Sequence, residues 1–223
     1  MPNSLLPSLE ICTDATPRAS VIWLHGLGAD GHDFAPVVEQ LNLHNVRFIL
    51  PHAPSRALTI NGGQIMPAWF DLTHSDLAAG EDIAGIRVSE QAIIRLIERE
   101  NVRGIPSNKI VLAGFSQGGA IALQTGLHYH QRLAGILALS TWLPLQMELT
   151  NEAGNINHGL PVFIGHGKND SVVPLIRAQE ARDLLIKLGY AVTGHDYDAM
   201  AHSVCLEEIS DIEAWLKNVL NAL

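Results

Sequence analysis

Lys109-Ile-Val-Leu-Ala-Gly114-Phe-Ser116-Gln-Gly118-Gly-Ala-Ile-Ala-Leu-Gln124 is the stretch on which the fold turns. Its first half is apolar almost throughout, as suits a strand covered on both faces of a parallel sheet. Its second half is small and apolar and reads as a helix. Between them lies the pattern G-x-S-x-G, from Gly114 to Gly118. With 19 glycines in the chain the bare pattern carries little weight. Strand, sharp turn and helix in that order are the setting of a nucleophile elbow. The reason is steric. A strained turn pushes the Ser116 hydroxyl into the open, and only small residues at 114 and 118 let neighbouring backbone pass. The helix start then offers free amides and the positive end of its dipole to a developing oxyanion.

Working outward, short apolar runs alternate with helical stretches. The candidate strands are Ser20–His25, Val46–Leu50, Lys109–Phe115, Leu133–Ser140, Pro161–His166 and Tyr190–Tyr197. In Glu81–Val102, Ile83, Ile86, Ile93, Ile94 and Ile97 fall on one helical stripe, which Gly104 and Pro106 end. Pro174–Leu188 reads as a second helix stopped by Gly189. Leu206, Ile209, Ile212, Leu216 and Val219 make the stripe of a last helix, with Glu207 and Glu208 placed to complement its dipole. Alternation of this kind predicts an α/β architecture with a mainly parallel sheet and chemistry at the carboxyl ends of its strands.

The 223 residues carry 14 basic and 23 acidic side chains, a formal charge of −9. With 47% hydrophobic and 17% charged residues the chain is too apolar for disorder. The expectation is a single domain spanning 1–223. The negative charge argues against nucleic acid, which needs a basic stripe, and against electrostatic capture by anionic membranes. The start has no basic region, and Pro7 interrupts Leu5-Leu6, so no signal peptide is read there. Asn221-Ala222-Leu223 carries no lipidation cysteine, and no apolar run approaches membrane-span length. These features predict a cytoplasmic protein without a stable membrane anchor, with Cys12 and Cys205 as free thiols.

A second glycine-rich loop, His25-Gly-Leu-Gly-Ala-Asp-Gly31, contains G-x-G-x-x-G. A dinucleotide site would need an acid near the end of the next strand, but Phe48–Ala53 has none, and Asp30 would repel a pyrophosphate. The loop reads instead as an oxyanion loop, its Leu27 amide facing a tetrahedral intermediate beside the amide of Gln117. No H-E-x-x-H or C-x-x-C suggests a metal, no cofactor is implied, and His128 and His130 read as solvated.

Ser116 needs a base, and the base a carboxylate. In folds with this elbow the chain order is Ser, acid, His. Five of the 11 histidines, from His25 to His74, precede Ser116. His166 reads as built into a turn and His195 as part of a strand. His202 lies in the loop between the last strand and the last helix, where an imidazole can reach across the sheet. Asp170 sits in a turn after the strand Pro161–His166, with Asp183, Asp196 and Asp198 as alternatives.

At this point the sequence resembles the carboxylesterase/phospholipase group of α/β-hydrolases, which includes the acyl-protein thioesterases. The resemblance rests on Leu24–Gly31, Leu50–Pro54, Met66–Asp71, Gly114–Gly119, Leu143-Pro144, His166-Gly with Asp170 and Pro174, and His202-Ser203. It implies an α/β-hydrolase fold with helices on both faces and the second strand antiparallel. It also implies a Ser116–Asp170–His202 triad, an oxyanion hole from Leu27 and Gln117, and, in some relatives, a homodimer. In relatives, the segment matching Ile60–Asp71 and the Trp142-Leu143 turn flank an acyl groove. Met66, Trp69, Phe70, Trp142 and Leu143 are therefore candidate substrate-binding residues, apolar bulk in expected loops. The short stretch between Ser140 and Pro161 leaves room for only a minimal lid. The functional readings are a carboxylesterase of short or medium acyl esters or lysophospholipids, an acyl-protein thioesterase, and a non-catalytic binding protein on the same fold.

Overall fold

A computed structural model describes residues 5–74, 77, 80–152 and 158–220. The elements run β1 (Ser8–Cys12), β2 (Ala19–Leu24), α1 (Ala35–Gln40), β3 (Val46–Pro51), β4 (Ser55–Leu58), β5 (Gln64–Pro67), α2 (Ile83–Val102), β6 (Ile110–Phe115), α3 (Gln117–His128), β7 (Gly135–Leu139), α4 (Gln146–Glu152), β8 (Pro161–Gly167), α5 (Leu175–Lys187), β9 (Ala191–Tyr197) and α6 (Leu206–Val219). Seven strands form one sheet in the order β1-β3-β2-β6-β7-β8-β9, and β4 and β5 make a separate hairpin. Every pairing from β3 to β9 is parallel.

The antiparallel strand is not the second but the first: β1 runs against β3 at the sheet edge. Residues 13–18 alone join β1 to β2, too few for the crossover of about a dozen residues that a parallel partner needs. The chain therefore reverses, and β3 later inserts between them. Neither β1 nor the β4–β5 hairpin stands out in the sequence, because each is short and half exposed.

Period-two alternation divides the core between the two faces of the sheet. Ile22, Leu24, Ile110 and Leu112 meet the buried sides of α2, α3 and α5, while Val21, Trp23, Val111 and Ala113 meet α1 and α6. Helices thus cover both faces. The helical stripes are met in part: Ile86, Ile93 and Ile97 are buried, but Ile83 is exposed. In α6, Leu206 is 77% exposed and Glu208 is fully buried, the reverse of the expected stripe. The first turn of α6 swings Glu208 under β8, beside Gly165, where no side chain competes for the space.

One buried ionic knot ties four elements. Glu100 of α2 accepts from Ser20 of β2 (2.7 Å), Arg47 of β3 (2.6 Å) and Arg103 (3.0 Å), and Arg103 also holds Glu10 of β1 (3.0 Å). The cysteines are free thiols, Cys12 exposed and Cys205 half-buried. Between Ser140 and Pro161 the short helix α4 is described, and residues 153–157 lie outside the described residues, as do Met1–Ser4 and Asn221–Leu223. Among the described residues no helix is long and apolar enough to cross a membrane.

Candidate active site

The turn after β6 carries the strain the sequence predicts. Ser116 has φ 54° and ψ −123°, a region that non-glycine residues avoid. Three contacts hold it there. Its N–H donates to Leu139 O (2.9 Å), while its carbonyl accepts from the Thr141 hydroxyl (2.6 Å) and from Ala120 N–H (3.1 Å). The glycines around it are steric necessities. A Cβ at Gly114 would overlap the carbonyl of Gly118, and one at Gly118 would overlap those of Leu24 and His25. Helix α3 starts at Gln117, so that amide lacks an intrahelical partner.

The carboxyl ends of β8 and β9 bring the other two candidates together. Backbone bonds from Lys168 N–H to Tyr197 O (2.9 Å) and from Asn169 N–H to Met200 O (3.0 Å) bind the two loops to each other. The Asp170 carboxylate is buried and accepts on both oxygens: Oδ1 from the N–H groups of Val172 and Val173 (2.8 Å each), Oδ2 from His202 Nδ1–H (2.7 Å). That bond leaves His202 Nε2 as the free ring nitrogen. The ring lies 4.7 Å from Phe115, the residue preceding Ser116.

Ser116, Gln117, Leu27, Gly26 and His202 line one cavity of about 270 Å³, a small volume for a ligand site. Its remaining walls are mainly apolar, from Leu72, Leu77, Phe115, Trp142, Val172 and Val173, with Asp33 at the edge. Of the five candidate substrate-binding residues, only Trp142 is among these walls. Trp69 and Phe70 are core residues. Trp69 turns inward because its indole N–H donates to His25 O (2.8 Å), and Phe70 packs edge-on against Trp142, centroids 6.1 Å apart. Leu143 is buried in the core, and Met66 belongs to the β4–β5 hairpin. Apolarity in a loop marked all five, but it does not tell a wall from its buttress. Leu72, Leu77, Val172 and Val173 carry the same signal in the sequence and reach the cavity beside Trp142.

Two supports were not legible in the sequence. Gln117 donates from Nε2 to Phe70 O and accepts at Oε1 from Trp69 N–H, both at 2.8 Å, strapping the 68–71 loop to the elbow. His25 is buried, donating from Nδ1 to Gly26 O (2.7 Å) and accepting at Nε2 from Ala53 N–H (3.0 Å). Burial lowers its pKa, so the ring stays neutral in this one tautomer and pins the loop that carries Leu27.

The remaining titratable groups have other work. His166 is built into the acid turn: Nε2–H donates to Val173 O (2.8 Å) beside Asp170 Oδ2 (3.4 Å), and burial keeps it neutral. His195 stacks on Phe163 and approaches Asp211. Asp196 pairs with Arg182 and Asp198 with Lys168, while Asp183 lines a groove beside α5. His128 is half-buried rather than solvated, its Nδ1–H on Gln124 O (2.7 Å). Asp30, His32 and His52 offer ligand atoms within 4.8 Å of one another. These are already engaged, His32 Nδ1 with Asp30 (3.0 Å) and His52 Nδ1 with Gly31 N–H (3.0 Å), so a metal would have to displace protein bonds.

The arrangement offers a hydroxyl, a buried carboxylate–imidazole pair and two amide-bearing loops around one apolar cavity. Known proteins resemble this chain over nearly its whole length. Residues 9–220 match the model of the Phospholipase/Carboxylesterase family. The chain is 40% identical over 238 aligned positions to acyl-protein thioesterase 1 of Cryptococcus neoformans var. neoformans serotype D, covering 99% of this chain and all of that protein. It is 42% identical to acyl-protein thioesterase 1 of Neurospora crassa, over 94% of this chain and 90% of that protein. Among solved structures, acyl-protein thioesterase 2 of Zea mays superposes with a TM-score of 0.88 at 30% identity, over 96% of this chain and 99% of that chain. SOBER1 of Arabidopsis thaliana gives 0.86 at 28% identity, over 91% and 99%.

Proposed function

The chain belongs to the phospholipase/carboxylesterase family of α/β-hydrolases and is a serine hydrolase of esters and thioesters, and from that premise we propose that Ser116, His202 and Asp170 form its catalytic triad, with the amides of Leu27 and Gln117 as the oxyanion hole. The observation that carries this reading is the 2.7 Å bond to the buried Asp170 from His202, whose ring lines the cavity that Ser116 also lines. Ser116 Oγ attacks the acyl carbonyl as its proton passes to His202 Nε2. The carbonyl electrons rest as an oxyanion on the two amides. Collapse breaks the acyl–oxygen or acyl–sulfur bond, and His202 returns the proton to the leaving alcohol or thiol. Water, deprotonated by the same imidazole, then cleaves the acyl-enzyme and releases the carboxylic acid. Asp170 holds the imidazole in its productive tautomer and stabilises the imidazolium that forms.

The small apolar cavity favours short and medium acyl groups, on oxygen or sulfur. The identity to acyl-protein thioesterases supports a second reading, removal of longer acyl groups from protein cysteines. Two measurements separate the possibilities. A fluorophosphonate probe labels the wild type and not Ser116→Ala, and Ser116→Ala lowers kcat by about 10⁴-fold or more. Absence of labelling in the folded wild type points instead to a non-catalytic binding protein. In a chain-length series of matched oxygen esters and thioesters, kcat/KM peaks at short or medium chains. A continued rise to long-chain thioesters supports the protein-thioesterase reading.

A further inference from the structure

A separate cavity of about 500 Å³ lies along α2 and shares no wall residue with that of Ser116. Arg87, Gln91 and Arg95, spaced four apart, share one side of α2 with Val88 and Ala92, and this side forms one wall. Leu6, Pro54 and Arg56 face it, and the buried Trp69 lies beneath.

The charges are unbalanced. Arg87 is neutralised by Glu90 (3.0 Å) and Glu148. Among the described residues Arg56 has one ion pair, with Asp82 at 4.0 Å, and Asp71 also acts on its charge. Arg95 has no ion pair or hydrogen bond among the described residues, and the Nε atoms of Arg56 and Arg95 are both buried without a partner. In a chain with nine more acids than bases, a guanidinium left unpaired between apolar walls is an anomaly. A half-buried cation without an acceptor is unfavourable, and a carboxylate matches its fork. Free phosphate would satisfy the charge but leave the apolar walls wet. A neutral hydrocarbon would do the reverse.

We propose that this groove binds a fatty-acid anion, its carboxylate on Arg95 and Arg56 and its chain along Val88, Ala92, Leu6 and Pro54 over Trp69. A carboxylic acid is what acyl hydrolysis releases, so the occupant is of the same chemical class as the product. The Trp69 backbone and indole hold Gln117 and His25, so the groove abuts the catalytic loops without sharing a wall residue with their cavity.

The test is calorimetric titration with decanoate below its micellar range. The wild type should show one saturable site. Arg95→Ala should bind at least tenfold more weakly, with Arg95→Lys in between. In the wild type, 1-decanol and inorganic phosphate should each bind at least tenfold more weakly than decanoate. Hydrolysis of a p-nitrophenyl acetate ester should be unchanged in Arg95→Ala, which certifies its fold. Equal decanoate affinity in wild type and Arg95→Ala overturns the proposal and places the lipid elsewhere, the Ser116 cavity included. Phosphate binding as tightly as decanoate also overturns it, as does an Arg95→Ala shift in a monomer–dimer equilibrium by sedimentation, which would make a second copy the occupant. None of the binding readouts depends on the role of Ser116, and the hydrolysis assay serves only to certify the fold, so this proposal and the catalytic reading fail separately.

Discussion

Ser116 and Glu208 mark the two ways a residue can depart from its ordinary chemistry here. Ser116 is held in strained backbone by the bonds to Leu139 and Thr141, and the G-x-S-x-G pattern announces that strain in advance. Glu208 announces nothing, because a glutamate in the first turn of a helix is ordinary. Burial, with Asp211 nearby, pushes its carboxyl up to about 8, and neither side-chain oxygen has a hydrogen-bond partner among the described residues. A raised carboxyl pKa means the folded state holds a proton that the unfolded state loses near its usual 4.5. Its contribution is therefore fully present below about 4.5, declines as pH rises, and is lost above about 8. Over that window Glu208 should cost the wild type about 4 kcal/mol relative to Glu208→Gln, at ~1.4 kcal/mol per unit. Urea denaturation of both proteins at pH 5 and pH 9 measures it. A stability difference between them that does not change with pH would contradict the assignment.

Among the elements, the junction of β6 and α3 is the least tolerant. Gly118 passes so close to β2 that an added Cβ meets the backbone carbonyls of Leu24 and His25, which cannot rotate away. Gly118→Ala should lower stability by roughly 3 kcal/mol and remove esterase activity, as overpacking against fixed backbone does. Gly62, with φ 64° in the β4–β5 hairpin, has open space around it. Gly62→Ala should cost only about 1 kcal/mol of backbone strain and leave activity intact. Thermal melts and esterase assays on the pair distinguish the effects. Equal losses for both would mean that close approach is not what fixes Gly118. The same junction explains which parts of the site were legible. Ser116, Asp170 and His202 each follow a strand, and strand ends are marked by where apolar runs stop. Gln117 and His25 act through bonds to residues 69, 70 and 53, and no local pattern marks a partner that distant.

Across the whole molecule, Glu100 is the point where β1, β2, β3 and α2 are tied, and it is wholly buried. Glu100→Gln leaves Arg47 and Arg103 around a neutral group and should destabilise the fold by about 2–4 kcal/mol, since one partner of a buried ion pair is removed. The denaturation midpoint should fall with the slope unchanged. A loss under about 0.5 kcal/mol would reduce the knot to a surface-like contact. Helical spacing placed α2 without hinting at this knot, because Glu100 looks like any polar residue on a solvated side. By itself the sequence determined the alternation of strand and helix and the strained turn at Ser116, and it offered Asp170 and His202 as the proposed acid and base. Apolar periodicity and glycine spacing are local properties, legible one segment at a time. Only the tertiary structure decided which strand runs antiparallel, which loop residues wall the cavity, which carboxyls are buried and that the half-buried Arg95 has no counterion among the described residues. Each of these depends on what stands opposite a residue in space, and burial and pairing are fixed only when distant segments meet.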